Sequence, residues 1–136
     1  VLAGGDFPDT DALKAAFAQP WLHTLKVAEE DAGVWEEACR ALINLHQIDM
    51  GEAGALVVAQ QLAAQGDAAL LLIDDHRGRQ AAQHSRVAIL GTAGLLVLAK
   101  QAGAIDAVRP LLLGLRQGGY FLSDQLIEAV LAQTGE

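Results

Sequence analysis

The order of apolar patterns predicts an α/β fold: a parallel sheet flanked by helices, followed by a C-terminal helical tail. Two short apolar runs, 68–73 and 87–90, each close on turn-forming residues, Asp74-Asp75 and Gly91-Thr92-Ala93-Gly94, as buried parallel strands do. Helical periodicity precedes, separates and follows them. The chain has 136 residues, 52% of them hydrophobic, which suits one domain with one core and leaves no room for two.

Each element has a local cause. Thr10 or Asp9 can cap a short helix over 11–18, and Pro20 stops it before an extended stretch at 21–25. From 34 to 46, Trp35, Ala38, Leu42 and Leu45 recur at helical spacing while Glu36, Glu37 and Arg40 fall elsewhere, giving an amphipathic helix. Asp49-Met50-Gly51-Glu52 starts a further helix whose apolar surface is Leu56, Val57, Ala59 and Leu62, and Gly66 ends it. The first strand follows, then a short helix carrying Arg77, Arg79 and Gln80, then the second strand and an apolar helix to Lys100. In the tail, Ile105, Val108, Leu111, Leu112 and Leu115 form a stripe with Pro110 in its first turn, and Gly118-Gly119 closes it. Ser123 caps a last helix through Leu126, Ile127, Val130 and Leu131. No internal repeat or low-complexity linker interrupts this order.

No apolar run reaches the ~18–20 residues a membrane span requires. Cys39 is the single cysteine, so neither an intrachain disulfide nor a cysteine-built zinc site is open to the chain, which suits a cytoplasmic location. The net charge of −8 opposes a grip on nucleic acid by phosphate attraction alone, although a bound divalent cation would reverse the local sign.

The candidate chemistry is acidic. Ligands of parallel sheets bind beyond the carboxyl ends of the strands, where Asp74 and Asp75 fall. Glu52 opens the helix that feeds the first strand, and sequence order alone is expected to leave it at the opposite edge. Each carboxylate also has a purely structural use. Asp49 and Glu52 fit a capping box, and Asp75 can cap the helix that begins at His76. His76 beside Asp75 can ligate a metal or simply be solvated; His23, His46 and His84 lack ligand spacing and read as ordinary. The turn at Gly91 offers amides to an anion, as in a nucleotide-binding α/β domain, but lacks the P-loop lysine; a packing turn capped by Thr92 competes with it. Cys39 lies by the apolar stripe, which argues for burial rather than nucleophilic catalysis.

Three segments in order carry a family resemblance: Gly51-Glu52-Ala53-Gly54-Ala55-Leu56, then Leu71-Leu72-Ile73-Asp74-Asp75-His76-Arg77-Gly78-Arg79, then Ile89-Leu90-Gly91-Thr92-Ala93-Gly94-Leu95-Leu96. Together with Tyr120-Phe121-Leu122-Ser123 and the closing Gly135-Glu136, they resemble the DUF3368 branch of PIN-like domains. The likeness runs from Asp49 to the end of the chain. It implies a PIN-like fold over 1–136, lacking the family's first strand and helices and with them two metal carboxylates. It implies a Mg²⁺- or Mn²⁺-dependent ribonuclease that cleaves RNA phosphodiesters, as the toxin of a bacterial toxin–antitoxin pair, with a small antitoxin protein and a homodimer among its partners. The alternative is a catalytically inactive module that binds nucleic acid or protein.

By the same resemblance Glu52 and Asp75 are metal carboxylates, with Asp74 as neighbour or substitute, and the family brings them to one edge of the sheet. Glu36 or Glu37 are remoter substitutes. Arg79 matches the family arginine and would contact RNA phosphate or close a salt bridge onto Asp75; Arg77 and Thr92 join it as nucleic-acid contacts. Hard cations prefer such oxygen donors. Repulsion within an empty carboxylate cluster is expected to raise its proton affinity.

Overall fold

A computed structural model describes residues 10–136, with side chains from Lys14 onward. The expected cap at Asp9 lies outside the described residues. The chain divides into two compact units, Val1–Gly33 and Val34–Glu136.

In the first unit, helix α1 covers Thr10–Phe17. The stretch expected to be extended, 21–25, forms no strand among the described residues; its Leu22 N–H turns back to the Gln19 carbonyl at 3.2 Å instead of joining a neighbouring strand. A single 3-10 turn, Glu29–Asp31, leads to helix α2, Ala32–His46, which continues into the second unit. Cys39 is wholly buried on α2 beside half-buried Trp35, Leu42 and Ile43. Leu45, expected on the same stripe, is 74% exposed because it falls a quarter-turn off the line through Trp35, Cys39 and Leu42. Gln47 adopts φ 55°, the left-handed conformation that ends the helix.

Helix α3, Met50–Ala64, begins with the expected capping box: Glu52 N–H donates to Asp49 Oδ1 at 2.8 Å and Asp49 N–H donates to Glu52 Oε2 at 3.0 Å. Gly66, at φ 88°, turns the chain after it, and the Asp67 N–H reaches back to the Leu62 carbonyl. Strand β1, Leu70–Leu72, pairs in parallel with β2, Ala88–Leu90, in the register Leu70 with Ala88 and Leu72 with Leu90. Helix α4, His76–His84, connects them. The chain is therefore a mixed α/β fold built on a small parallel sheet, as the sequence predicts.

One expectation for the strands fails. Leu71 and Ile73 are buried against α3 and α4, but Leu70 and Leu72 are 60% and 54% exposed. The strand thus alternates, the mark of a sheet covered on one face at β1 rather than on both.

The tail folds around a second core. Helices α5 (Thr92–Gln101), α6 (Arg109–Gln117) and α7 (Asp124–Thr134) pack through Val97, Val108, Leu112, Leu122, Ile127 and Leu131. Pro110 occupies the first turn of α6, where a missing N–H costs nothing, and Ser123 Oγ accepts from Leu126 N–H at 3.2 Å. Leu111 and Leu126, expected in the apolar stripes, are exposed. Among the described residues no helix is long and apolar enough to cross a membrane.

Candidate functional site

Because β1 and β2 run parallel, the helices that follow them both begin at the same carboxyl edge. Asp74 and Asp75 leave β1 there, and Gly91 and Thr92 leave β2 beside them. The adjacent aspartates take different partners.

Asp75 turns back onto α4. Its Oδ1 accepts from Arg77 N–H at 2.8 Å and from Gly78 N–H at 3.1 Å, the cap read from sequence. The Gly78 amide, with that of Arg77 and the Arg77 charge, holds its carboxyl below the ordinary range against a smaller effect of burial. The expected rise in proton affinity is absent at Asp75, because the oriented amides outweigh the effect of burial. Both short bonds fall on Oδ1, and the His76 amide adds a weaker effect on the same carboxyl.

Asp74 instead reaches across to α5. It accepts from Thr92 N–H at 2.9 Å and from the Thr92 hydroxyl at 2.6 Å, and the Tyr120 hydroxyl is near enough to act on its pKa. Partial burial acts to raise its pKa, but these donors and the nearby Arg79 charge bring it below the ordinary value. The same contact, after burial, pushes the Tyr120 phenol up. Gly91 is required here: a Cβ on it would lie 2.8 Å from Asp74 Oδ1 and 3.0 Å from an Arg79 guanidinium nitrogen.

The anion-binding alternative for the Gly91 turn is thereby answered. The protein's own Asp74 carboxylate sits on the first amide of α5, where a nucleotide phosphate would bind. Thr92 is not the cap either; Gly91 holds that position without a side chain.

Glu52 reaches the same edge. Its Oε1 lies 2.7 Å from where a Cβ on Gly78 would stand, and that Cβ would also collide with Ile73. The expectation that sequence order leaves Glu52 at the far edge is overturned. A helix that feeds a parallel strand runs antiparallel to it, so the first turn of α3 returns to the strand's carboxyl end. Glu52 and Asp75 therefore converge on Gly78, one against its Cα and the other on its N–H.

The two arginines act first within the fold. Arg79 donates to the Ile73 carbonyl at 3.1 Å and faces Asp74, not Asp75 as sequence suggested. Arg77 donates to the Gln47 carbonyl at 3.4 Å, tying α4 to the loop before α3. His76 Nε2 lies 3.1 Å from Gln80 Nε2 on the same helix. Glu36 and Glu37 are exposed on α2.

Sequence reasoning gave no role to Tyr120, and no spacing signals its contact with Asp74. It also treated His46 and His84 as unrelated, yet their rings stack with centroids 5.5 Å apart. They end different helices, so only the tertiary fold joins them. Glu136 was likewise unassigned. Its carboxylate accepts from Lys100 Nζ at 2.6 Å and from the Val108 and Arg109 amides, supplying the cap that α6 lacks.

Among the described residues, no group of three or more histidine, cysteine, aspartate or glutamate side chains is gathered for a metal. Glu52 and Asp75 offer two hard oxygen donors beside a glycine that leaves them room. That donor set fits a hydrated Mg²⁺ or Mn²⁺ held loosely, and does not fit a softer, enclosed ion.

The sequence model of the family described as DUF3368, a PIN domain, matches residues 1–136. No curated protein and no solved structure matches the chain.

Proposed function

The chain belongs to the PIN-domain family, in its DUF3368 branch, and from that premise we propose that it is a metal-dependent ribonuclease acting on RNA phosphodiesters at the carboxyl edge of its sheet. PIN domains are in general divalent-metal-dependent nucleases that bind nucleic acid. The observation that carries the finer reading is the meeting of Glu52 and Asp75 at Gly78.

The Glu52 and Asp75 carboxylates would hold Mg²⁺ or Mn²⁺. When bound, that cation supplies an acidified water and offsets charge on the scissile phosphate. Asp75 is ionised throughout the neutral range because α4 amides hold its carboxyl low, so no proton has to leave it before a cation binds. Asp74 is a brace: both its oxygens meet Thr92, which fixes the start of α5 beside the site. Arg77 and Arg79 stand at the first turns of α4 and meet phosphate by exchanging a backbone carbonyl for it. Thr92 reaches RNA only if Asp74 yields its hydroxyl. In this reading the protein works in the cytoplasm as the toxin of a bacterial toxin–antitoxin pair, with a small antitoxin covering the acidic edge and a second copy of the chain as homodimer partner.

The convergence of two carboxylates rather than three or four favours a second reading, a non-catalytic module that binds nucleic acid or protein. A Mn²⁺ titration of RNA cleavage by the wild type and Asp75→Asn separates them. Metal-dependent cleavage lost in the variant supports the ribonuclease. RNA binding without cleavage supports the module, and indifference to metal and RNA alike contradicts both.

A further inference from the structure

His46 and His84 have no metal-ligand spacing along the chain, and the fold brings together what sequence order keeps apart. His46 is the last residue of α2 and His84 the last of α4, and their rings lie 22° from parallel with centroids 5.5 Å apart.

The backbones that carry them are anchored. Ile48, two residues after His46, is buried in the first core, and the Gln47 carbonyl accepts from Arg77 on α4. Ala81 and Ala82, both wholly buried, seat the last turn of α4 in the same core. The rings themselves are unoccupied: among the described residues neither imidazole has a hydrogen bond or an ion pair. His84 is exposed and His46 half-buried, and no His46 nitrogen is shut away from solvent. An offset stack accounts for the near-parallel planes but uses none of the nitrogens.

Charge and ligand chemistry decide what those nitrogens would meet. Two helices end at this junction, each with partial negative charge on its last carbonyls, and the chain as a whole carries −8, so the spot attracts a cation. Neutral imidazole suits zinc, copper and nickel, whereas Mg²⁺ takes oxygen. Two Zn–N bonds of about 2.0–2.1 Å at a tetrahedral angle place ring centroids about 5 Å apart. The observed separation reaches that by turning the rings about their own side-chain bonds.

We propose that His46 and His84 form a two-histidine clip for a divalent transition-metal ion of the zinc class, with water completing its coordination, which ties the end of α2 to the end of α4. The clip is separate from the carboxylate edge, because His84 stands about 13 Å along α4 from Asp75, at the helix's other end. It does not rest on the ribonuclease reading.

The test is a Zn²⁺ titration of the full chain by calorimetry, in excess Mg²⁺ so that Glu52 and Asp75 do not compete, with thermal unfolding alongside. The wild type is expected to bind one Zn²⁺ and to melt higher in its presence, since an ion that binds only the folded state stabilises it. His46→Gln and His84→Gln each bind about tenfold more weakly and lose the rise in melting temperature, whereas His76→Gln and His23→Gln keep both. A readout on the wild type needs no variant: the imidazole nitrogen resonances of His46 and His84 shift together as Zn²⁺ is added. Wild-type affinity in either clip variant, a loss at His76→Gln or His23→Gln instead, resonances that stay in place, or no Zn²⁺ binding by the wild type would each overturn the clip.

Discussion

Asp74→Ala separates a brace from a metal ligand at the two adjacent aspartates. The substitution removes the acceptor for the Thr92 amide at 2.9 Å and the Thr92 hydroxyl at 2.6 Å, and leaves Arg79 without its facing carboxylate. Hydrogen bonds to a charged group contribute about 1.5–3 kcal/mol each when sheltered. This edge is solvated, so water recovers much of the loss and the sum is about 2–3 kcal/mol rather than twice the single value. With a urea slope of about 2 kcal/mol/M for a small domain, the unfolding midpoint falls by about 1–1.5 M at unchanged slope. Asp74→Asn keeps an acceptor for the Thr92 amide and loses about half as much. Mn²⁺ affinity, measured by calorimetry on the folded variants, stays at the wild-type value. A midpoint shift under about 0.3 M joined to a tenfold loss of Mn²⁺ affinity would refute the reasoning and make Asp74 the ligand.

Other perturbations follow from the same contacts. Glu136 has its carboxyl lowered from 4.5 to about 2 by Lys100 and the Val108 and Arg109 amides. Its stabilisation is complete above the ordinary carboxylate range and is lost as pH falls from 4.5 through about 2. Glu136→Gln therefore lowers the melting temperature at pH 7 and flattens its acid dependence across that window; an unchanged acid profile contradicts the assignment. Asp49→Ala removes the acceptor for the Glu52 N–H and costs about 1 kcal/mol in urea unfolding, but it keeps the backbone N–H that donates to Glu52 Oε2 and leaves Mn²⁺ affinity no weaker. Cys39 is fully buried and its thiol is pushed up by burial and by Glu36, so a thiol reagent reacts slowly with native protein and rapidly in urea. Fast labelling of the native protein would show that α2 does not pack as described.

Local physics wrote most of the fold into the sequence. The Asp49–Glu52 box, the Asp75 and Ser123 caps, Pro110 and the glycines after α3 and α6 each act within a few residues, and each is found where its pattern places it. The family motifs were equally legible, because Gly78 and Gly91 stand where a Cβ would strike Glu52 and Asp74. The failures are tertiary. An isolated run of leucines does not reveal whether one face or two are covered, so the exposure of Leu70 and Leu72 was missed. The position of Glu52 was misread through the direction of a single helix. Tyr120 on Asp74, Glu136 on α6 and the stacked His46 and His84 join elements distant along the chain, and no periodicity encodes them.

The central claim is that Glu52 and Asp75 serve one cation at Gly78. Mn²⁺ binding by calorimetry to wild type, Glu52→Gln, Asp75→Asn and the double variant tests it directly. If both carboxylates hold one ion, each single change weakens binding at least tenfold, and the double variant is far less affected than the product of the two. Full additivity, or a wild-type affinity in either single variant, contradicts a shared site.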